Sequence, residues 1–430
     1  MYKGAVRFFI TTIAVTGLAL SSYAQFTISG EFRPRAEYRH GYRALADEDQ
    51  DAAFFIDQRT RLNLLYNNER FTMKVVLQDV RTWGSVSQLV VEDGAKTTLH
   101  EAWGQVKLNE QWAIKLGRQE IVYDDSRILG SVAWAQQARS HDALILKYMG
   151  QELGVDLGLA FNQNGPQLNS TFYSVPNNYK ALQYLRVHKK FNNTNASLLF
   201  LNNGRQGGTP TDANTYFSQT AGIFFKHLNG SLRPEGSLYY QFGDEADGVT
   251  EISALQYKLS LDYLLSDKVT ITGGFEHLSG NSQTNPDSKN KAFNPFYGTN
   301  HMHNGLIDYF YVGNHINSVG LEDIFLKLKL NTGKGIFLPQ LHFFSANGEV
   351  MDDATTNGMD KYLGTELDLV FSKALAKDMN LQIGYSQMFG TDVLEQLQSV
   401  SNRATSNWAW VMLTLKPTFF TTKKPNTDAN

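Results

Sequence analysis

Residues 26–40 read FTISGEFRPRAEYRH. Phe26, Ile28, Gly30, Phe32, Pro34, Ala36 and Tyr38 fall on one side of a period of two; Thr27, Ser29, Glu31, Arg33, Arg35, Glu37 and Arg39 fall on the other. Successive side chains of a strand point to opposite faces, so this segment is a strand with one apolar and one densely charged face.

The pattern recurs along the chain. Leu255, Tyr257, Leu259, Leu261 and Tyr263 alternate with Gln256, Lys258, Ser260 and Asp262; Leu232, Pro234, Gly236, Leu238, Tyr240 and Phe242 alternate with Ser231, Arg233, Glu235, Ser237, Tyr239 and Gln241. From Phe26 to Leu415 there are about 18 such segments, each long enough for a tilted membrane strand. Turn-rich short connections at 67–69, 109–110, 150–151, 191–194, 229–230, 266–267, 331–334 and 374–376 alternate with long ones at 40–53, 82–96, 122–132, 162–176, 203–213, 243–250, 279–315, 346–359 and 390–404. A soluble sandwich has no reason to sort its loops by length this way. The expected fold is all-β: a transmembrane up-and-down antiparallel barrel of about 18 strands with short periplasmic turns and long external loops. A cation facing lipid at mid-bilayer costs about 2–4 kcal/mol, so the charged face of residues 26–40 lines the lumen. A barrel of this width is not filled by its own wall side chains, and an aqueous channel is expected.

The first residues agree with export. Lys3 and Arg7 precede an apolar run from Phe8 to Leu20, and Ser22-Tyr23-Ala24 ends in a small residue before Gln25. That is a secretory signal peptide, residues 1–24, too short in its apolar part to span a bilayer comfortably. The expected organisation is then one barrel domain over 25–420 and a tail over 421–430. With no cysteine, disulfides, thiolate metal ligands and a lipid-anchored N-terminus are excluded. Removing Lys3 and Arg7 leaves 37 basic side chains against 42 acidic, which does not suit a nucleic-acid partner. A mean hydropathy of −0.33, with no later run of 18 apolar residues, excludes helical spanning. The expected partners are outer-membrane lipid, the barrel-assembly machinery and a solute.

Twelve of the 16 arginines occur by Arg139. Arg33, Arg35, Arg39, Arg59, Arg61, Arg81, Arg118 and Arg139 fall on polar positions of the first six strands, and Arg127 lies in the connection after the fifth. Guanidinium keeps its charge and offers a fork of donors that fits carboxylate, so these nine are the expected substrate-binding residues for an acidic sugar or other anion. Interleaved carboxylates such as Glu31, Glu37, Asp57 and Asp142 support a competing expectation, in which Arg–carboxylate pairs brace the wall. Reversing Arg59 and Arg61 is expected to shift ion preference more than reversing Lys327 and Lys329.

Residues 116–144, LGRQEIVYDDSRILGSVAWAQQARSHDAL, resemble the alginate export family of outer-membrane porins. The resemblance extends to Phe32-Arg33-Pro34-Arg35 with Glu37, Gln58-Arg59-Thr60-Arg61-Leu62, Leu77 to Gly84, and Leu99-His100-Glu101-Ala102. It implies an 18-stranded outer-membrane barrel whose arginine-rich pore passes acidic polysaccharide. The mixed basic and acidic residues of the second half keep a general small-solute porin open as the alternative, because a fold does not fix a cargo. A barrel enzyme or receptor acting through its loops is the third reading.

No catalytic residue, cofactor or metal is expected. Ser140, His141 and Asp142 are consecutive strand residues and point alternately, so they cannot converge as a triad. His301 and His303, with Asp308, have a weak claim as metal ligands. Phe293, Phe296, Tyr297, Tyr309, Phe310 and Tyr311 are too many aromatics for a solvated loop, so residues 279–315 are expected to fold over or into the pore. Asp392 to Val400 reads as a short helix with Asp392 as its N-cap.

Overall fold

The computed structural model describes residues 24–89, 94 and 97–422. The expected signal peptide, apart from Ala24, and all but two residues of the expected tail lie outside the described residues.

The strands are β1 (Gln25–His40), β2 (Ala53–Asn67), β3 (Phe71–Thr82), β4 (Thr97–Lys107), β5 (Trp112–Gln119), β6 (His141–Met149), β7 (Leu153–Phe161), β8 (Ala181–Phe191), β9 (Thr194–Thr209), β10 (Asp212–His227), β11 (Leu232–Asp244), β12 (Glu251–Ser266), β13 (Val269–Leu278), β14 (Leu321–Asn331), β15 (Ile336–Ser345), β16 (Tyr362–Ala376), β17 (Met379–Gly390), β18 (Ser406–Leu415) and β19 (Thr418–Thr421). Each pairs antiparallel with its neighbour in sequence up to β18, and β1 closes the ring. β18 pairs with the upper half of β1, from Phe32↔Leu415 to His40↔Asn407, and β19 with the lower half, from Ser29↔Thr418 to Thr27↔Thr421. They are one strand broken at Pro417, which has no N–H to give the ladder; its carbonyl still accepts from Gly30 N–H at 2.9 Å. The barrel therefore has 18 strands. β19 carries the wall one residue into the stretch read as a tail.

Burial follows the sequence period. On β1, Glu31, Arg33, Arg35 and Glu37 are buried on the inside, while Phe32 and Tyr38 are exposed to the lipid side. Phe54, Trp83, Phe161 and Phe389 ring one end of that outer face; Phe71, Trp112, Phe191 and Tyr263 ring the other. Such aromatic girdles mark the two membrane interfaces. The short turns are built by their own residues: the Asn68 side chain accepts the N–H groups of Arg70 and Phe71 at 2.9 and 2.7 Å, and Asn109 does the same for Gln111 and Trp112.

Two expectations are corrected. Residues 203–213 form no long loop: the β9–β10 ladder runs unbroken to Thr209↔Asp212, leaving only Pro210 and Thr211 as the turn. The hairpin projects beyond the membrane, where a strand needs no apolar face, so its polar sequence read as loop. In the helix over Asp392–Gln398 the N-cap position belongs to Thr391, one residue before Asp392, with no side-chain capping bond. On β18, Trp408, Trp410 and Met412 are buried on the inside with Val411 exposed outside, so the lumen wall there is aromatic and not charged.

Candidate functional site

Two external connections enter the barrel. The β5–β6 connection (residues 120–140) and the β13–β14 connection (279–320) are joined to each other by backbone: Gly130 N–H donates to Tyr297 O at 2.9 Å and Thr299 N–H to Ser126 O at 2.8 Å. Val132 N–H also donates to the Thr299 hydroxyl at 3.0 Å. Nine of the 16 described non-glycine residues with positive φ lie in these two segments, including Val132, Phe296, Asp308 and Tyr311. Such conformations cost about 1–3 kcal/mol each and persist only where the surroundings enforce them. The enforcement comes from the walls.

On the β1–β2 side the clasp is basic. Arg33 donates to Ala133 O at 2.7 Å, Trp134 O at 3.1 Å and Gln136 Oε1 at 2.9 Å. Arg35 pairs with Glu37 at 2.7 Å, donates to Trp134 O at 2.8 Å and lies over the Trp134 ring at 4.1 Å. Arg59 pairs with Glu31 and reaches Ala133 O and Gln136 O, both at 3.3 Å. Arg39 pairs with Glu37 at 2.8 Å over the Tyr42 ring, and Arg61 donates to Gln78 Oε1 at 2.7 Å. Trp408 Nε1 donates to Glu37 at 2.9 Å, and Trp134 packs between Trp410, Trp408 and the His301 ring stacked 4.5 Å away.

Across the lumen the clasp is acidic. Arg127, fully buried, pairs with Glu276 on β13 at 2.9 Å and donates to Asn304 Oδ1 at 2.8 Å. Asn304 Nδ2 donates to Glu276 at 2.9 Å and to Asp323 on β14 at 3.1 Å. Ile307 N–H donates to Glu366 on β16 at 2.9 Å. Asp308 accepts from Tyr42 and faces His301 at 2.6 Å; burial and the Asp308 carboxylate push the Tyr42 phenol far up, so it stays a donor.

The joined loops divide the lumen. An outer cavity of about 1140 Å³ opens toward the external loops, and an inner one of about 800 Å³ toward the periplasmic turns; among the described residues they share no lining residue. The outer one is lined by Arg35, Arg39, Arg43, Arg139 and Arg205, with Arg81 at its rim, against Asp57 and Asp308. The inner one carries six basic and five acidic side chains, paired as Lys147–Asp156 at 2.8 Å, Arg186–Asp124 at 2.7 Å, Lys226–Glu235 at 2.6 Å and Lys258–Asp125 at 3.4 Å.

Of the nine arginines, six converge on the inside of β1–β2 or on the partition: Arg33, Arg35, Arg39, Arg59, Arg61 and Arg127. Arg139 stands apart. It donates to Gly298 O at 3.1 Å and faces Tyr297; burial pulls its guanidinium below the usual arginine range, Tyr297 opposes this, and no carboxylate among the described residues pairs with it. Arg81 and Arg118 are corrected. Register places Arg81 on the outer face with Leu62 and Leu77, and Arg118 with Leu116 and Leu144; their carboxylate partners Asp79 and Asp142 share that face. Rim charges of this kind lie beyond the hydrocarbon, where a polar position no longer implies the lumen. Ser140, His141 and Asp142 bond separately to His100, Tyr179 and Arg118. His301 belongs to Asp308 and Trp134, while His303 lines the inner cavity, where burial followed by Arg127 keeps it neutral. Sequence reasoning missed Trp134, Glu276, Asn304 and the inward Trp408 and Trp410. The Trp-x-Trp period on β18 was visible, but nothing in it said which face looked in.

The family model described as alginate export matches residues 24–407. No curated protein sequence matches the chain. Among solved structures, a BenF-like porin from Pseudomonas fluorescens Pf-5 superposes with TM-score 0.62 at 13% identity, covering 92% of this chain and 99% of that one. OccK2 (OpdF) of Pseudomonas aeruginosa in complex with glucuronate gives 0.62 at 11%, covering 92% and 97%. OccAB4 of Acinetobacter baumannii gives 0.61 at 10%, covering 92% and 98%. At these identities the likeness is one of fold.

Proposed function

This chain belongs to the alginate export family and is an outer-membrane β-barrel porin; from that premise we propose that it admits an acidic, alginate-like oligosaccharide through the outer cavity. The reading is carried by one observation: of the arginines lining that cavity Arg35 and Arg39 are paired with Glu37 and Arg205 with Glu245, whereas Arg139 has no carboxylate partner among the described residues. A guanidinium with unused donors at a water-filled cavity binds carboxylate in the bidentate manner that a paired one cannot. Concentrated positive potential also raises the local concentration of an anionic solute. The glucuronate held by OccK2 is an acidic sugar of the same class.

The test is reconstitution of the mature protein in planar bilayers, with reversal potentials under a salt gradient and block by uronate oligomers. Anion preference with block is expected; cation preference without block discards the proposal. The balanced inner cavity, six basic side chains against five acidic, favours the second reading, a general small-solute porin. Deleting residues 281–300, which lead into the partition, should raise single-channel conductance; unchanged conductance rejects an obstructing role for this loop.

A further inference from the structure

The Leu99-His100-Glu101-Ala102 segment of β4 lines neither the outer nor the inner cavity, and its backbone is irregular. Val76 on β3 stands opposite Glu101 and Leu77 opposite Leu99, which makes His100 the extra residue of a β-bulge. A bulge re-aims side chains. Leu99 is exposed on the outer face, whereas the consecutive residues His100 and Glu101 are both buried. Glu120, at the root of the β5–β6 connection, meets them there: one ligand atom from each of the three lies within 4.8 Å of the others.

Hydrogen bonding fixes how His100 presents its ring. The Ser140 hydroxyl has one hydrogen, and it goes to the backbone carbonyl of His100 at 2.5 Å. The same oxygen lies 3.1 Å from His100 Nδ1 and can only accept there, so Nδ1 carries the ring hydrogen. Nε2 therefore turns its lone pair toward Glu120 Oε1, 2.8 Å away. Two acceptors at that distance need a positive species between them, either a second ring proton or a metal ion. An imidazole whose far nitrogen is held as a donor, facing carboxylates, is a zinc-binding arrangement.

We propose that His100 Nε2, Glu120 and Glu101 bind a divalent transition-metal cation of the zinc class. The site is open to water through Glu120, whose side chain is 28% exposed. Zinc bonds of about 2.0–2.2 Å in a tetrahedral array set ligand atoms about 3.3–3.6 Å apart, so the His100–Glu120 contact opens slightly to admit the ion. Glu101 is held by Lys74 and by Trp103 Nε1 at 2.9 Å. It joins the ion when Lys74, with a third of its side chain exposed, turns to water. The neighbouring cations Arg61, Lys74 and Lys115 oppose the ion and hold its affinity in the micromolar range. Once bound, the ion ties β4 to the root of the connection that carries residues 133–136 into the lumen.

The experiment titrates Zn²⁺ into the mature barrel in detergent, in competition with a chromogenic chelator, with folding of each variant checked by circular dichroism. One ion per chain is expected, and Ca²⁺, which takes oxygen ligands, should not displace it. His100→Gln and Glu120→Gln should each weaken binding about a hundredfold, and Ser140→Ala, which frees the ring tautomer, about tenfold. Lys74→Gln releases Glu101 and should tighten binding about tenfold, a gain that loss of structure does not produce. Absence of stoichiometric binding, equal displacement by Ca²⁺, or affinity within about twofold of the parent in Glu120→Gln overturns the site. Affinity unchanged in Lys74→Gln overturns the place given to Glu101 as third ligand.

Discussion

On β1 and β2 the lumen-facing guanidiniums, several of them paired with Glu31 and Glu37, hold carbonyl oxygens of residues 133–136; on β13, β14 and β16 carboxylates hold the side-chain amide of Asn304 and the backbone N–H of Ile307. An inward loop exposes both backbone donors and acceptors, and each buried one needs a partner. A wall of one sign satisfies only half of them. Two walls of opposite sign satisfy both, so the charge of this lumen is largely architectural. The consequence for transport is that the arginine count overstates the pull on a solute: Arg33 and Arg59 point inward, yet their donors are taken by the protein itself.

The largest effect should come from the acidic side. Glu276→Gln leaves Arg127 buried without its counter-charge, at a cost of about 3–5 kcal/mol, read from urea unfolding in detergent. A cost no larger than that of an exposed pair would break the contrast between the walls. On the basic side, Arg33→Met removes charge-assisted bonds to the loop and should cost about 1.5–3 kcal/mol, with the reversal potential almost unmoved. A large shift in reversal potential would return Arg33 to the solute path. Arg139→Gln should do the opposite, costing about 1 kcal/mol while moving the reversal potential toward zero. Should Arg59→Gln move it as far as Arg139→Gln does, pairing would not be what separates bracing from binding. The geometry also revises the expectation for charge reversal at Arg59 and Arg61, which should damage folding before it alters ion preference. Smallest of all, Arg118→Ala at the outer rim should cost less than about 1 kcal/mol and leave selectivity unchanged, as measured by the same unfolding and bilayer assays.

Legibility along the chain depended on how far each residue lay inside the membrane. Within the hydrocarbon, lipid tolerates no charge and the backbone must pair, so the alternation at residues 26–40 and 255–263 reads directly as strand and face. Beyond it that constraint lapses. There the sequence of the β9–β10 hairpin reads as loop, and Arg81 and Arg118 read as lumen positions although register puts them outside. The aromatic excess of residues 279–315 pointed to an inward fold, and Phe293, Tyr309 and Phe310 are indeed buried. Its attachment points were not readable, because Asn304, Glu276, Asp323 and Glu366 are distant in sequence and ordinary in type.

The period of two, the sorted connections and the charge of one face were enough to set strand, membrane and lumen, because these are local consequences of backbone geometry and of the cost of charge in lipid. Which arginines are occupied, where the lumen is divided and which cavity keeps an unpaired guanidinium were decided only by the closed barrel. Those are matters of pairing between residues far apart in sequence, such as Arg127 with Asn304, 177 positions on, and pairing between distant groups is fixed by the space that brings them together.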